Sequence, residues 1–295
     1  MRELHPLMLG GTLFSPASHP NLEKILQREK LPQLQSIVID FEDALQKQSQ
    51  QKALENLQNI LENFIQNELI VFIRPATVSM LKELLNLNGI EKIDGFVLPK
   101  FSLTNAKEYL ALLSKDFYIM PSIEKEELFD REQLKQLREL LEPYKKQILL
   151  IRIGCEDMFS LLGLKRQKNE SVFDRGISGS IMYDVIKTFK PYGYAISGCV
   201  YVHFRDTKGF KEDIQTDFLQ GLISKTIIHP NQIEPLQELY RVTKEEVDFA
   251  QKLLQSKEVV FDHDGMMAEK YTQSNYAKEV LLRAKIYGFK TLEEE

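Results

Sequence analysis

Eight short apolar runs recur along the chain, and their spacing restricts the fold more than any other feature. They are Met8–Phe14, Ser36–Phe41, Leu69–Ile73, Gly95–Leu98, Phe117–Met120, the run opening Ile148–Asp157, Tyr194–His203 and Thr226–Ile228. Most are rich in Ile and Val, and the segments between them are mostly helix-like, as in the stripe Leu54, Leu57, Ile60, Leu61 and Phe64. The mean repeat is about 30 residues, the size of one strand-plus-helix unit. Alternating strands and helices predict a parallel sheet covered on both faces. Eight units predict closure into a (β/α)₈ TIM barrel, an α/β fold. An open doubly wound sheet is the competing architecture, weakened because no glycine-rich dinucleotide loop follows the first run.

After Gln232 the pattern changes. Helix-like segments near Lys244–Leu254 and Ser274–Tyr287 flank Phe261–Lys270, which predicts a C-terminal helical extension or lid. The expected domains are residues 1–240 for the barrel and 241–295 for the extension. Hydrophobic residues make up 43% and charged residues 27%, enough for a substantial core. A net charge of −5 gives no reason to expect nucleic acid or an anionic membrane as a partner. No run of 18 or more apolar residues is present, and the opening Met-Arg-Glu-Leu-His-Pro-Leu-Met is too short and polar for a signal peptide. Two cysteines, Cys155 and Cys199, make neither a disulfide framework nor a metal motif, so a reducing, cytoplasmic setting is expected.

In a barrel of this kind the active site sits at the C-terminal ends of the strands. Those ends carry Asp40, Glu42, Asp43, Arg74, Lys100, Glu124, Glu156, Asp157, His203 and His229. Carboxylates gathered together repel unless a cation or a shared proton compensates. A few oxygen ligands suit Mg²⁺, whereas two histidines from different strands without a cysteine motif make zinc a poor fit. Each residue also has a structural reading. Glu124 or Asp157 could cap the helix that follows it, Arg74 could be an ion-pair partner, His229 before Pro230 could orient a loop, and Cys155 reads as a packing residue. Arg152, inside an apolar run, is expected in the polar end of the barrel interior or against an acid.

The motifs at these strand ends, taken in order, resemble the citrate lyase β-subunit-like family, also called the HpcH/HpaI aldolase superfamily. Leu13-Phe14-Ser15-Pro16 resembles its opening strand and loop, and Ile39-Asp40-Phe41-Glu42-Asp43-Ala44 its LEDAV-type segment. Phe72-Ile73-Arg74, Gly95-Phe96-Val97-Leu98-Pro99-Lys100 and Pro121-Ser122-Ile123-Glu124 follow. Gly154-Cys155-Glu156-Asp157-Met158 and Lys225-Thr226-Ile227-Ile228-His229-Pro230 complete the series. The resemblance implies a TIM barrel with a C-terminal extension, assembled as a homotrimer or hexamer. It implies Mg²⁺ (Mn²⁺ as the alternate ion) held by Glu124 and Asp157. It places Arg74 on the substrate, Glu42 and Asp43 around the catalytic site, and Lys100, Pro16 and Ala17 on the substrate-binding surface. It aligns Glu269 with a lid acid that enters a neighbouring subunit. The family's Arg-Ser before the first strand is replaced by Gly10-Gly11, and the glycine after the loop proline is Ala17. Both departures fall on the CoA or phosphate grip. The details resemble a divergent branch of TIM-barrel C–C bond lyase-like proteins associated with tellurite-resistance and stress genes.

The expected activity is therefore Mg²⁺-dependent carbon–carbon bond cleavage in a small oxo- or hydroxy-acid or a CoA thioester, through an enolate. The alternatives are thioester hydrolysis or condensation at the same site, and a non-catalytic scaffold.

Overall fold

The structure, a computed structural model, describes residues 2–43, 45 and 47–290. The chain divides into two compact units, Met1–Ile233 and Glu234–Glu295.

The first unit is a parallel α/β barrel, as expected. Its strands are β1 (Gly11–Pro16), β2 (Ser36–Asp40), β3 (Ile70–Arg74), β4 (Gly95–Leu98), β5 (Tyr118–Ile123), β6 (Arg152–Ile153) and β7 (Lys225–Ile227). The helices between them are α1 (Leu22–Leu26), α2 (Gln50–Asn63), α3 (Val78–Leu85), α4 (Ala106–Leu112), α5 (Arg131–Leu141), α6 (Cys155–Leu161), α7 (Gly176–Phe189) and α8 (Thr207–Leu219). The strands lie in the order β6-β5-β4-β3-β2-β1-β7, all parallel. The eighth expected strand, Tyr194–His203, does not form a regular ladder. It closes the sheet through single bridges, Ile196 to Ile151 and Gly198 to Lys225. Its backbone bonds alternate sides: Ile151 N–H donates to Ala195 O, and Gly198 N–H to Ser224 O.

Other boundaries move as well. The first run begins with a 3₁₀ turn, Pro6–Leu9, and the strand starts only at Gly11. The sixth run is a strand for two residues only, with Ile148 and Ile151 held by isolated bridges. Glu156 and Asp157 lie in the first turn of α6, whose cap position is Gly154 and not Asp157.

Successive strand residues point to opposite faces. One phase, Leu9, Val38, Ile70, Phe72, Val97, Met120 and Leu150, packs as an apolar cluster that also takes in Leu4. The segment before β1 is fastened by Arg2, which pairs with Asp94 at 2.7 Å and donates to the carbonyls of Asn67 and Leu69. A second interior group is ionic. On α8, Asp213 and Asp217 are one helical turn apart and hold Lys225 Nζ at 2.8 and 2.5 Å, and Arg166 also bonds Asp213.

The second unit contains α9 (Ile233–Tyr240), α10 (Lys244–Gln255), a hairpin of β8 (Val260–His263) and β9 (Met266–Glu269), and α11 (Lys270–Tyr287). The segment between the expected helices is therefore an antiparallel hairpin. Thr243 and Glu246 form a reciprocal capping box at the start of α10. The core is Val242, Val247, Phe249, Ala250, Leu253, Ala268, Ala277 and Val280. Among the described residues, no helix is long and apolar enough to cross a membrane.

Candidate active site

The C-terminal strand ends surround a cavity of about 410 Å³. The inward phase that supplies the apolar cluster continues upward as Phe14, Asp40, Arg74, Glu124 and Arg152, all of which line it. Asp43, Gly154, Glu156, Asp157 and Thr226 add to the wall, and Val200, Val202 and Ile228 supply apolar surface.

One side is an ion cluster centred on Arg74. Asp40 and Arg74 are partners in the β2–β3 register, which brings their side chains together without a loop. Arg74 Nε and Nη2 donate to the two Asp40 carboxylate oxygens, each at 2.7 Å, a bidentate pair. Arg74 Nη1 lies 2.9 Å from Glu42 Oε2, and Nη2 lies 3.2 Å from Asp43. Lys100 Nζ donates to Glu42 Oε1 at 2.5 Å. Lys100 has a left-handed backbone, φ 46°, and its carbonyl is held by the Asn105 amide at 2.8 Å. Burial opposes the charge on Arg74, but the Asp40 hydrogen bonds and the surrounding carboxylates raise its pKa overall. Burial raises Glu42, against the opposing pull of Arg74.

The opposite side holds Glu124 and Asp157. Glu124 is 2% exposed, and its Oε2 has no hydrogen-bond partner. Burial, reinforced by the charges of Glu42 and Asp157, pushes its carboxyl up to about 7. Asp157 is raised by burial and by the charge of Asp43. Gly154 makes room for this arrangement: a Cβ there would lie 2.3 Å from Glu124 Cγ. The glycine is required by close approach, since its φ of −81° suits any residue.

The helix-cap reading of Glu124 does not hold. Lys125 occupies the cap position of the 3₁₀ turn Glu126–Phe129, and α5 is capped by Asp130, which accepts from the backbone N–H of Glu132 and Gln133. Among the described residues, no three His, Cys, Asp or Glu side chains form a ready metal cage. Two carboxylates, one with a buried open oxygen, are a donor set that suits Mg²⁺, which completes its shell with water and substrate oxygens.

Arg152 resolves the ambiguity left by the sequence: it points into the interior and meets hydroxyls. It is 2% exposed, and its Nη1 and Nη2 donate to Thr226 Oγ1 at 3.0 Å and Thr12 Oγ1 at 2.8 Å. Its Nε has no partner. Burial, together with the charge of Arg74, lowers its pKa to about 9. Both guanidinium groups sit near the Phe14 ring, Arg74 at 5.1 Å and Arg152 at 5.3 Å from the centroid.

Other expected residues lie elsewhere. Ala17 is fully buried and bonds through its N–H to Asp40 O at 2.9 Å. Pro16 lines a neighbouring cavity of about 480 Å³ with His19, Lys30 and His229. Glu42 and Lys100 reach the site through Arg74 and do not line the cavity themselves. His229 accepts from the Asn231 N–H and caps a 3₁₀ turn, the loop-orienting reading. Glu269 belongs to the second unit, at the end of β9, where its Oε2 accepts from Thr272. Cys155 and Cys199, read as separate residues, are joined as a disulfide with Cα atoms 5.8 Å apart. Sequence reasoning missed Thr12, Phe14 and Thr226. The available signal was the period-two phase of β1, which puts Thr12 and Phe14 on the inward face.

Comparison with known proteins bears on the fold and the family. A 104-residue segment is 34% identical to mitochondrial citramalyl-CoA lyase of Mus musculus, and the match covers 34% of this chain and 28% of the relative. The rat enzyme of the same name matches at 29% identity over the same share of its length. The aligned segment thus spans under a third of these curated relatives. Among solved structures, a citrate lyase from Burkholderia xenovorans LB400 superposes with a TM-score of 0.75 at 17% identity, covering 99% of this chain and 98% of that one. CitE from Mycobacterium tuberculosis, solved with magnesium, acetoacetate and coenzyme A, superposes with a TM-score of 0.67 at 18% identity, covering 95% and 99%. Identities this low establish the shared fold. A family-wide sequence profile reaches further, matching residues 3–289, and by it the chain belongs to the family described as C–C bond lyase of the TIM-barrel fold.

Proposed function

We propose that the chain is a Mg²⁺-dependent carbon–carbon lyase acting on a small oxo- or hydroxy-acid or its CoA thioester. The observation that carries this reading is the pair Glu124 and Asp157. Two partly desolvated carboxylates face one cavity, and neither has a cationic hydrogen-bond partner among the described residues. These two would hold the ion. When bound, a divalent cation there supplies positive charge to the oxygen on which charge develops as the carbon–carbon bond breaks. Arg74, fixed by Asp40 and Glu42, presents a second, rigid positive charge to the cavity. Phe14, Val200, Val202 and Ile228 reduce the water available to a carbanion-like species. Glu42 and Asp43 buttress Arg74, and Lys100 restrains Glu42 in turn.

Glu269 is the candidate for the proton-handling group, delivered from a neighbouring copy in a trimer or hexamer. The magnesium and coenzyme A in the M. tuberculosis structure, and the name citramalyl-CoA lyase, support this substrate class.

The test begins with calorimetry of Mg²⁺ binding. Glu124→Gln and Asp157→Asn should each abolish the titration, and full retention in either would remove the metal assignment. Incubation with citramalyl-CoA, followed by chromatography for acetyl-CoA and pyruvate, tests the bond cleaved. If a panel of acyl-CoA and oxo-acid substrates gives no cleavage by the Mg²⁺-loaded protein, the lyase reading fails.

A further inference from the structure

Two arginines flank Phe14, and they differ in what neutralises them. Arg74 is met by Asp40, Glu42 and Asp43, all within 3.2 Å. Arg152 has no carboxylate within ion-pair distance among the described residues. Its bonded partners are two threonine hydroxyls, and its Nε–H is buried without an acceptor. A guanidinium has five N–H donors, so two hydroxyls leave most of its donating capacity unused. A buried cation without an anion is costly, and native interiors pair such groups. The charge of Arg74, which acts on Arg152, is also positive and adds to the electrostatic demand for an anion.

Arg152 lines the same cavity as Glu124 and Asp157. We infer that Arg152 is the anion-binding residue of this site, receiving a carboxylate group of the substrate between itself, Phe14 and Thr226. Arg74 then serves as a fixed background charge whose donors are already engaged. The substrate is a carboxylic acid with at least two oxygen-bearing ends. Its carboxylate sits on Arg152, and its reacting end faces Glu124 and Asp157. A planar guanidinium suits a carboxylate because two parallel N–H groups match its two oxygens. Arg152 thereby selects for carboxylate-terminated substrates over neutral ones of the same shape. The inference rests on the lyase reading only for the chemical nature of the anion; the site itself rests on the unpaired guanidinium.

The experiment uses the full chain in EDTA, with neither metal nor turnover, so its failure overturns the anion site and leaves the lyase reading standing. Succinate is the probe, and its uncharged diamide is the control. Calorimetry should show succinate binding to the unmodified chain and none of the diamide. Arg152→Met should weaken succinate binding at least tenfold, and Arg152→Lys should weaken it less. Equal succinate affinity in Arg152→Met, or no binding by the unmodified chain, would overturn the assignment. A bromide-soaked crystal of the unmodified chain gives a second readout, independent of any variant. An anomalous peak within hydrogen-bond distance of the Arg152 guanidinium is expected, and its absence counts against the site.

Discussion

Replacing each of the two arginines beside Phe14 with methionine should have very unequal effects on stability, although both are buried cations lining one cavity. Arg74→Met removes the partner of a bidentate, buried Asp40 and also takes one of two cations from Glu42, leaving it Lys100 alone. Leaving such carboxylates uncompensated costs about 3–5 kcal/mol. Arg152→Met removes a cation with no carboxylate partner. Burial lowers its pKa to about 9, well below the ordinary guanidinium range. At 1.36 kcal/mol for each pKa step, holding that charge costs on the order of 5 kcal/mol. The sign follows from linkage: at neutral pH both folded and unfolded chains carry the proton, and the folded chain carries it in the less favourable place. Against this stand two charge-assisted hydrogen bonds to Thr12 and Thr226, worth roughly 1.5–3 kcal/mol each. The net expectation for Arg152→Met lies between a loss of about 1 kcal/mol and a gain of about 2 kcal/mol. In a chain of this size 1 kcal/mol moves the Tm by roughly 2 °C. Arg74→Met should therefore lower the Tm by roughly 6–10 °C, while Arg152→Met should shift it by between roughly −2 and +4 °C. Scanning calorimetry of the ligand-free proteins, with urea titrations to check that both lose one cooperative transition, measures the contrast. A fall in Arg152→Met comparable to that in Arg74→Met would mean that Arg152 is already neutralised, and the reasoning fails.

Two further substitutions test the scaffold around the site. Gly154→Ala places a methyl 2.3 Å from Glu124 Cγ, so the carboxylate must swing away; Mg²⁺ affinity by calorimetry should drop by at least about tenfold, and unchanged affinity would separate Glu124 from the ion. Lys225→Met leaves Asp217 without its counter-ion and Asp213 with Arg166 alone; urea unfolding should show a loss of about 3–5 kcal/mol, and a neutral result would mean these aspartates are protonated in the folded chain.

Much of the barrel was legible because a strand buried on both faces must be apolar, and the chain repeats such runs at the spacing of a strand and a helix. The seventh run shows where that reasoning stops. Tyr194–His203 is apolar enough for a strand, yet it contributes only single bridges to Ile151 and Lys225. Apolar patterning reports burial, whereas ladder formation depends on whether the neighbours run parallel for several residues, and β6 is regular for only two. The acids were legible for a related reason. Asp40, Arg74 and Glu124 continue the inward phase of their strands, so their convergence follows from strand ends alone. Arg152 obeys the same phase, but its environment is set by Thr226 and Thr12, 74 and 140 residues away. No local pattern distinguishes a strand arginine that meets an acid across the barrel from one that meets hydroxyls. The cysteines illustrate the same limit, since Cys155 and Cys199 become neighbours only through barrel closure.

The charges around the cavity lead from architecture to chemistry. Asp40, Glu42, Asp43, Glu124 and Asp157 are five carboxylates, and Arg74, Lys100 and Arg152 are three cations. Glu156 also lines the cavity, its pKa raised by burial against the pull of Arg166 and His203, and brings the carboxylates to six. The excess is three negative charges, and it is not spread evenly. At β2 Arg74 and Lys100 face three carboxylates, while most of the surplus falls on Glu124, Glu156 and Asp157, whose pKa values are all raised. The surplus positive charge lies on Arg152. On the proposed reading, Glu124 and Asp157 would accept a divalent cation and Arg152 an anion, within one cavity. A lyase that cleaves a carbon–carbon bond in an organic acid needs both: one group to hold the carboxylate still and another to take the charge released at the neighbouring carbon. On that reading Mg²⁺ and the organic acid should each raise the stability of the barrel, and together by more than the sum of the two, because the acid's reacting end faces the groups that would hold the ion.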